Sequence, residues 1–417
     1  MRIRFGSRFW KLSFGIACLV CMALYLSWAL RVYLAFRLAA IPEAKNLQRA
    51  IRLEPSCAEY RELAGRSQLF LVTNLDEAIA NYQIAVRLNP YVARYWLDLA
   101  SAYQVAGHTS EEAESVERAV RADPTTPDVA WEAGNFFLVR GEREEALHHF
   151  RVVLDNDPQA VDATLRLCWR ATGDANLMLD QALPPRSDLY FSFLNLLIRG
   201  KHVSDAENVW NRLVALKQSF SIPLVFPYFS FLFEQHEVAA AQTAWQQLAT
   251  VNRSLAPYLP SRENLIVNGG FEEKLLNGGF DWWYTSSPHA ALAIDTSEFH
   301  SGTRSLSVTF DGESVSEAGI SQLIPVKPNS DYEFSAEYKT EELDTASGPR
   351  FALTDAYSNA SYVLTDDFRG TNPWCLLQAR FHTGPSTSLL LARVIRQPAG
   401  PLIRGKLWID DLQLVEK

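Results

Sequence analysis

The sequence predicts a multi-domain α plus β chain: a transmembrane helix, an α-solenoid of stacked helical hairpins, and a C-terminal antiparallel β-sandwich. Three observations carry this. Leu12 to Leu30 runs nineteen residues without a charge. Phrases ending in proline (AIRLEP at Pro55, AVRLNP at Pro90, AVRADP at Pro124, VVLDNDP at Pro158) recur at spacings of 35, 34 and 34 residues. Beyond Pro260 the apolar pattern changes from the helical period to short alternating runs.

At 417 residues the chain has length for two or three domains, each with its own core. Its 48% hydrophobic and 21% charged residues are a globular composition, so no large part need be disordered. The net charge of −9 argues against nucleic acid or anionic lipid as a main partner, because both reward clustered lysine and arginine. The five cysteines are too few and scattered for a disulfide framework. Cys18 and Cys21 have a redox or metal spacing but sit inside the apolar run, where they read as small lipid-facing side chains. Too few apolar residues precede Cys18 for a lipoprotein acylation site.

The first element, residues 1–40, is a basic tail and a single membrane anchor. Nineteen uncharged residues at about 1.5 Å each match a bilayer core of about 30 Å. Arg2, Arg4, Arg8 and Lys11 precede the run, and Arg31 and Arg37 follow it. The heavier basic flank stays cytoplasmic, which places the bulk of the chain on the periplasmic or extracytoplasmic side. Trp10, Trp28, Tyr25 and Tyr33 suit the two interfaces. The competing reading is a cleaved signal peptide, but its apolar region would be only about 7–15 residues, and no good A-x-A site closes this one.

The second element, 41–255, carries apolar residues at i, i+3 and i+4 with glycine or proline at the breaks. With Pro124 as position 32 of a 34-residue unit, residues 93–126 place Trp96, Leu99, Ala100 and Tyr103 at positions 4, 7, 8 and 11. The unit 127–160 places Gly134, Phe137, Ala146 and Phe150 at 8, 11, 20 and 24. Small residues at 8 and 20 let two antiparallel helices approach closely, large ones fill the space beside them, and proline stops the second helix. This pattern resembles the tetratricopeptide repeat. It is clearest over 59–160 and degenerate over 161–250, where Trp210 and Trp245 stand 35 residues apart. One departure is Glu112, which occupies position 20 with Ala113 beside it; a local shift or looser packing is expected there.

The resemblance implies a concave groove for a protein partner. Its inner-helix positions fall on Arg94, Leu97, Ser101, Gln104 and Val105 in one repeat, and on Asp128, Trp131, Asn135, Leu138 and Val139 in the next. That surface is mixed and apolar, unlike a basic clamp for a carboxylate. The competing reading is that these side chains pack on neighbouring helices.

The third element, 261–417, shows the runs SLSVTF (305–310), ISQLIPV (320–326), YEFSAEY (332–338), LLLARVI (389–395) and KLWIDDLQLV (406–415). Turn residues separate them, N-G-G at 268–270 and 277–279 among others, which argues an antiparallel sandwich. The order ENLIVNGGFEE, GFDWWY, HSGTRSLSV, IPVKPNSDYEFSAEY, PWCLLQARFHT, GKLWIDDLQL resembles the jelly-roll carbohydrate-binding modules related to galactose-binding-like domains. The resemblance implies a structural calcium held by Glu272 and Asp410 or Asp411, with backbone oxygens near Ser301 and Gly302; a capped strand facing water is the alternative. It also places one tryptophan near 282–283 and another near 374 in the core, with Trp408 buried as well. Sugars stack on exposed aromatic faces, so Tyr284, Tyr357 and Tyr362 are the glycan candidates.

No G-x-S-x-G, H-E-x-x-H, Walker loop or G-x-G-x-x-G occurs, and the eight histidines show no metal-ligand spacing, reading as solvated positions. Asp366 and Asp367 read as a solvated turn before a glycosidase pair. The expectation is a non-catalytic membrane-anchored envelope scaffold, its repeats binding a protein and its sandwich a glycan, in polysaccharide assembly, export or retention. The alternatives are an interaction protein whose sandwich binds no sugar, and a divergent glycoside hydrolase.

Overall fold

The computed structural model describes residues 8–41, 43–72 and 74–417, and divides into two compact units, Met1–Pro184 and Pro185–Lys417. Arg2 and Arg4 of the basic flank lie outside the described residues.

The first unit opens with α1 (Arg8–Ala39), whose most apolar 18-residue window, within Phe9–Ala39, has a mean hydropathy of 1.9 and is not buried. It is long and apolar enough to cross a membrane. Its last turns are buried on one face: Ala35 and Ala39 join a cluster with Leu47 and Ala50 of α2 (Ala44–Leu53) and Tyr60 and Ala64 of α3 (Ala58–Ser67). The C-terminal end of this apolar helix thus packs on α2 and α3.

Then come α4 (Leu75–Leu88), α5 (Ala93–Ala106), α6 (Thr109–Ala122), α7 (Pro127–Val139), α8 (Arg143–Asn156) and α9 (Val161–Thr172). A short α10 (Ala175–Leu177) continues as a π-turn through Ala182. The 34-residue period holds these as antiparallel pairs, with tetratricopeptide-like packing at each crossing. At position 8 of its unit, Gly134 lies so close to Phe150 that a Cβ there would meet the ring at 2.7 Å. Phe150 is fully buried, and truncating such a ring costs about 3–5 kcal/mol. The helices keep register at Glu112: Ala78, Glu112 and Ala146 take the same inward position of α4, α6 and α8, and all three are buried. The expected local shift does not occur. His149, expected in a solvated position, is buried and stacked on Phe137 with 5.2 Å between centroids.

The second unit holds α11 (Ser187–Arg199), α12 (Val203–Ala215), α13 (Phe226–Glu234) and α14 (Val238–Val251), followed by the sandwich. Its ten strands are β1 (Trp283–Tyr284), β2 (Ala290–Asp295), β3 (Ser305–Asp311), β4 (Glu317–Pro325), β5 (Asp331–Thr345), β6 (Pro349–Asp355), β7 (Ser361–Leu364), β8 (Gly370–His382), β9 (Leu389–Arg396) and β10 (Ile403–Glu416). One sheet runs β1-β4-β9-β6-β7 and the other β2-β3-β10-β5-β8, with every pairing antiparallel. Alternation sends Leu306, Val308, Phe310, Phe334, Leu407, Ile409, Ile320, Phe351, Leu353, Leu390 and Val394 into one core between the sheets.

The helices of this unit are joined to its sandwich. Phe280 lies between Phe233 and Trp245, with ring centroids at 5.2 and 6.0 Å. Trp245 Nε1 donates to the Tyr258 carbonyl, and the Tyr258 hydroxyl donates to that of Lys274, both at 2.7 Å.

Candidate functional site

Two regions carry the candidate residues. In the first unit, α5, α6 and α7 line an open cavity of about 650 Å³. Arg94, Leu97, Ser101, Gln104, Asp128, Trp131 and Asn135, all picked out by repeat position, line it together. Trp131 stands edge-on to Phe150 with centroids at 5.6 Å, and Asn135 donates back to the Trp131 carbonyl. Val105 and Val139 are 67% and 83% exposed, and Val139 reaches the cavity. Repeat position alone did not point to the floor residues Glu112 and Val116 from α6, or to Asp98 of α5.

Asp98 belongs to a small charged cluster. Arg66 bridges the buried Glu62, at 2.5 Å, and Asp98, at 3.5 Å, while Arg94 lies 3.9 Å from Asp98. Burial, with the carboxyl of Asp98 beside it, pushes Glu62 up to about 7.

In the sandwich, the three tyrosines picked as sugar platforms have separate surroundings. Tyr284, on edge strand β1, is 43% exposed, and its N–H donates to Asn277 Oδ1. Tyr357 is stacked on His236, just past α13, with centroids 3.8 Å apart, so one ring face is occupied; burial pushes its hydroxyl up to about 12. The hydroxyl of Tyr362 pairs with Thr387 Oγ1 at 2.6 Å and accepts the Gly384 N–H, and its ring stacks on Phe381. Of the three, Tyr284 has the open face. Trp282 is in the core at 2% exposure. Trp408 is also buried, outside the central cluster, with Lys339 and Lys406 over its ring and its Nε1 donating to Asp295. Trp374, expected in the core, is instead half-buried beside His300.

The outer face of the β4-β9-β6 sheet was missed. Phe351 and Leu353 point into the core, so Arg350 and Thr354 point out; Arg393 opposite Ala352 does likewise. Arg350 Nε, Arg393 Nε and the Thr354 hydroxyl are buried without a hydrogen-bond partner among the described residues. The signal was the two-residue alternation of PRFALTD, which becomes legible once 349–355 is read as a strand.

The carboxylates of the opening and closing segments bond one segment, residues 300–304. Glu272 accepts from the N–H groups of Thr303 and Arg304 and from the Thr303 hydroxyl, which hold its carboxyl below the usual range. Asp410, fully buried, accepts from the N–H groups of His300, Ser301 and Asp411. Burial nevertheless pushes its carboxyl up. Asp411 bonds the Ser301 hydroxyl and His300 Nδ1, both at 2.7 Å. Asp410 Oδ1 and Asp411 Oδ1 each lie 3.7 Å from the point a Cβ on Gly270 would occupy. Among the described residues, no three His, Cys, Asp or Glu side chains are grouped to hold a metal ion. The side-chain donors of Glu272, Asp410 and Asp411 are all oxygen, the type calcium takes.

Residues 263–398 match the family model of a carbohydrate binding domain. The chain is 27% identical over 134 residues to the Hsp70-Hsp90 organizing protein of Triticum aestivum, covering 32% of this chain and 23% of that protein. It thus spans about a quarter of that relative's length. Among solved structures, a CBM4 domain aligns at 13% identity over 36% of this chain and 99% of its own, with a TM-score of 0.29. The MamA protein aligns at 13% identity over 43% of this chain and 86% of its own, with a TM-score of 0.28.

Proposed function

We propose that the protein is a non-catalytic, membrane-anchored envelope scaffold, whose helical groove holds a protein partner and whose sandwich holds a glycan. The match of residues 263–398 to a carbohydrate binding domain carries the glycan half of this reading. The single cavity that gathers seven residues of two adjacent repeats supports the protein half. Such a pairing suits polysaccharide assembly, export or retention at a surface. Affinity electrophoresis of the Pro185–Lys417 unit through gels cast with soluble polysaccharides tests it: retardation by at least one polymer is expected, and unchanged mobility in all of them overturns the glycan half.

A second reading, in which the sandwich binds a protein and no sugar, draws on the covered rings of Tyr357 and Tyr362. The same gels separate the two.

The helix α1 supports a single membrane span with the basic flank cytoplasmic and the two units beyond the membrane. Alkaline phosphatase fused after Lys417 would then be active; an inactive fusion, with a cytoplasmic reporter active in its place, reverses the topology. Calcium would be held by Glu272, Asp410 and Asp411 with backbone oxygens, where it would neutralise the carboxylates and tie the opening segment to β10.

A further inference from the structure

Three equivalent positions, 34 residues apart, break the repeat's own rule in the middle. Ala78 and Ala146 are fully buried alanines, each facing the partner helix of its hairpin. Glu112 stands at the same place on α6, 9% exposed as a residue, with its carboxylate oxygens reaching the cavity and taking no hydrogen bond or ion pair among the described residues. Arg140, whose charge opposes the effect of burial on Glu112, donates to Glu142 at 2.8 Å and lies over the Phe136 ring. A largely covered carboxylate with no donor from the protein, where the repeat elsewhere places alanine, is an arrangement that packing alone does not favour, and such local conflicts concentrate at functional sites. Glu112 also lines the cavity between α5, α6 and α7.

The rest of that cavity has the same sign. Asp98, Asp123, Asp128 and Glu132 line it against one cation, Arg94. Asp98 is already shared between Arg66 and Arg94, and Asp123 caps the turn at Thr126. Asp128 and Glu132 are exposed and carry no ion pair among the described residues. Between the charges lie Leu97, Val116, Trp131 and Val139.

From this we propose that the groove holds a peptide segment carrying lysine or arginine between apolar residues, its cation seated on Glu112 and its flanks against Leu97, Trp131 and Val139. The inference rests on the groove reading above and names the chemistry of its partner. The incoming ammonium or guanidinium supplies the donors that Glu112 lacks, and a charge-assisted bond is stronger than a neutral one. Asp128 and Glu132 at the rim steer it.

The test uses the full chain in detergent micelles and a fluorescent helix-forming peptide in which lysines recur among leucines, read by fluorescence anisotropy. Two controls replace the lysines, one with glutamate and one with norleucine. The lysine peptide is expected to bind at least about tenfold more tightly than either control, a difference of about 1.4 kcal/mol. Glu112→Gln is expected to remove that preference, and added salt to weaken it. Glu112→Ala restores the repeat's alanine, so it should lose the peptide while melting at least about 2 °C higher, which excludes misfolding as the cause. Equal affinity for the lysine and norleucine peptides, or an unchanged preference in Glu112→Gln, overturns the inference and leaves a groove that takes apolar chain without a cation. Binding of none of the three peptides overturns both this inference and the groove reading.

Discussion

Gly279 holds a left-handed backbone, φ +63°, directly beneath the ring of Trp245, so close that a Cβ there would lie 2.1 Å from Cζ3. The contact seats the 277–280 turn on α14 and brings Phe280 between Trp245 and Phe233. Gly279→Ala adds about 1 kcal/mol of backbone strain to about 1–3 kcal/mol of overpacking. Chemical denaturation of the Pro185–Lys417 unit should show a loss of about 2–4 kcal/mol. A loss below 1 kcal/mol would mean that the joint yields without resistance.

The same joint sets where the protein can be cut. A fragment starting at Pro185 keeps Trp245 and Phe233 around Phe280; one starting at Ser261 strips both from that ring, together with Tyr258, which links Trp245 to Lys274. The shorter fragment should melt several degrees lower and bind a hydrophobic dye. Matched melting of the two would show that the sandwich needs no helices.

Asp281 is fully buried, with Oδ1 unpartnered and Oδ2 accepting the Leu276 N–H at 2.6 Å. Burial pushes its carboxyl up from the ordinary 3.8 to about 6. A raised carboxyl favours the folded chain fully only below its unfolded value and loses that advantage as pH rises through about 6. Asp281→Asn should therefore stabilise the unit at pH 8 by on the order of 1–3 kcal/mol. The gain should shrink towards zero near pH 4, and paired denaturation curves at the two pH values check it.

Tyr284 has the open ring face, and Tyr357 and Tyr362 have neighbours on theirs. Tyr284→Ala should weaken retention by a retarding polysaccharide several-fold with little change in melting. Tyr357→Ala, which exposes His236, should lower melting first. Loss of retention in Tyr357→Ala with stability intact would reverse the assignment.

Calcium at 100 times its dissociation constant should stabilise the unit by about 2.7 kcal/mol, and Asp410→Asn should abolish that gain. Equal melting in calcium and in chelator would remove the ion from this account.

Periodicity carried most of the architecture because each reading needed only local chain. The Pro55, Pro90, Pro124 and Pro158 punctuation fixed the hairpins, and alternation fixed β3, β4, β5, β9 and β10. The cavity followed as well, since repeat position determines which side of a helix faces inward. The sandwich surface was far less legible. That Tyr357 is covered depends on His236, 121 residues earlier in the chain, and the hydroxyl of Tyr362 depends on Thr387. No local pattern announces either partner. The short β6 and β7 lie among turns that hid their alternation, and with it the outward row of Arg350, Thr354 and Arg393. Glu112 was noticed as a departure, but its meaning required knowing that the helix does not shift to expose it.

The strand at the centre of its sheet is the last one made. β10 pairs with β3 along one edge and β5 along the other, and Asn264 at the head of the domain bonds Leu412 and Leu414 near its tail. While the ribosome is still extending the chain, β3 and β5 lack the neighbour that separates them, and the two halves of their sheet have nothing to close upon. Helices α2 to α9 contact their near neighbours and can form as they emerge. The growing chain would therefore carry folded hairpins ahead of an open sandwich, whose two sheet halves stay apart until Ile403–Glu416 has emerged to sit between them.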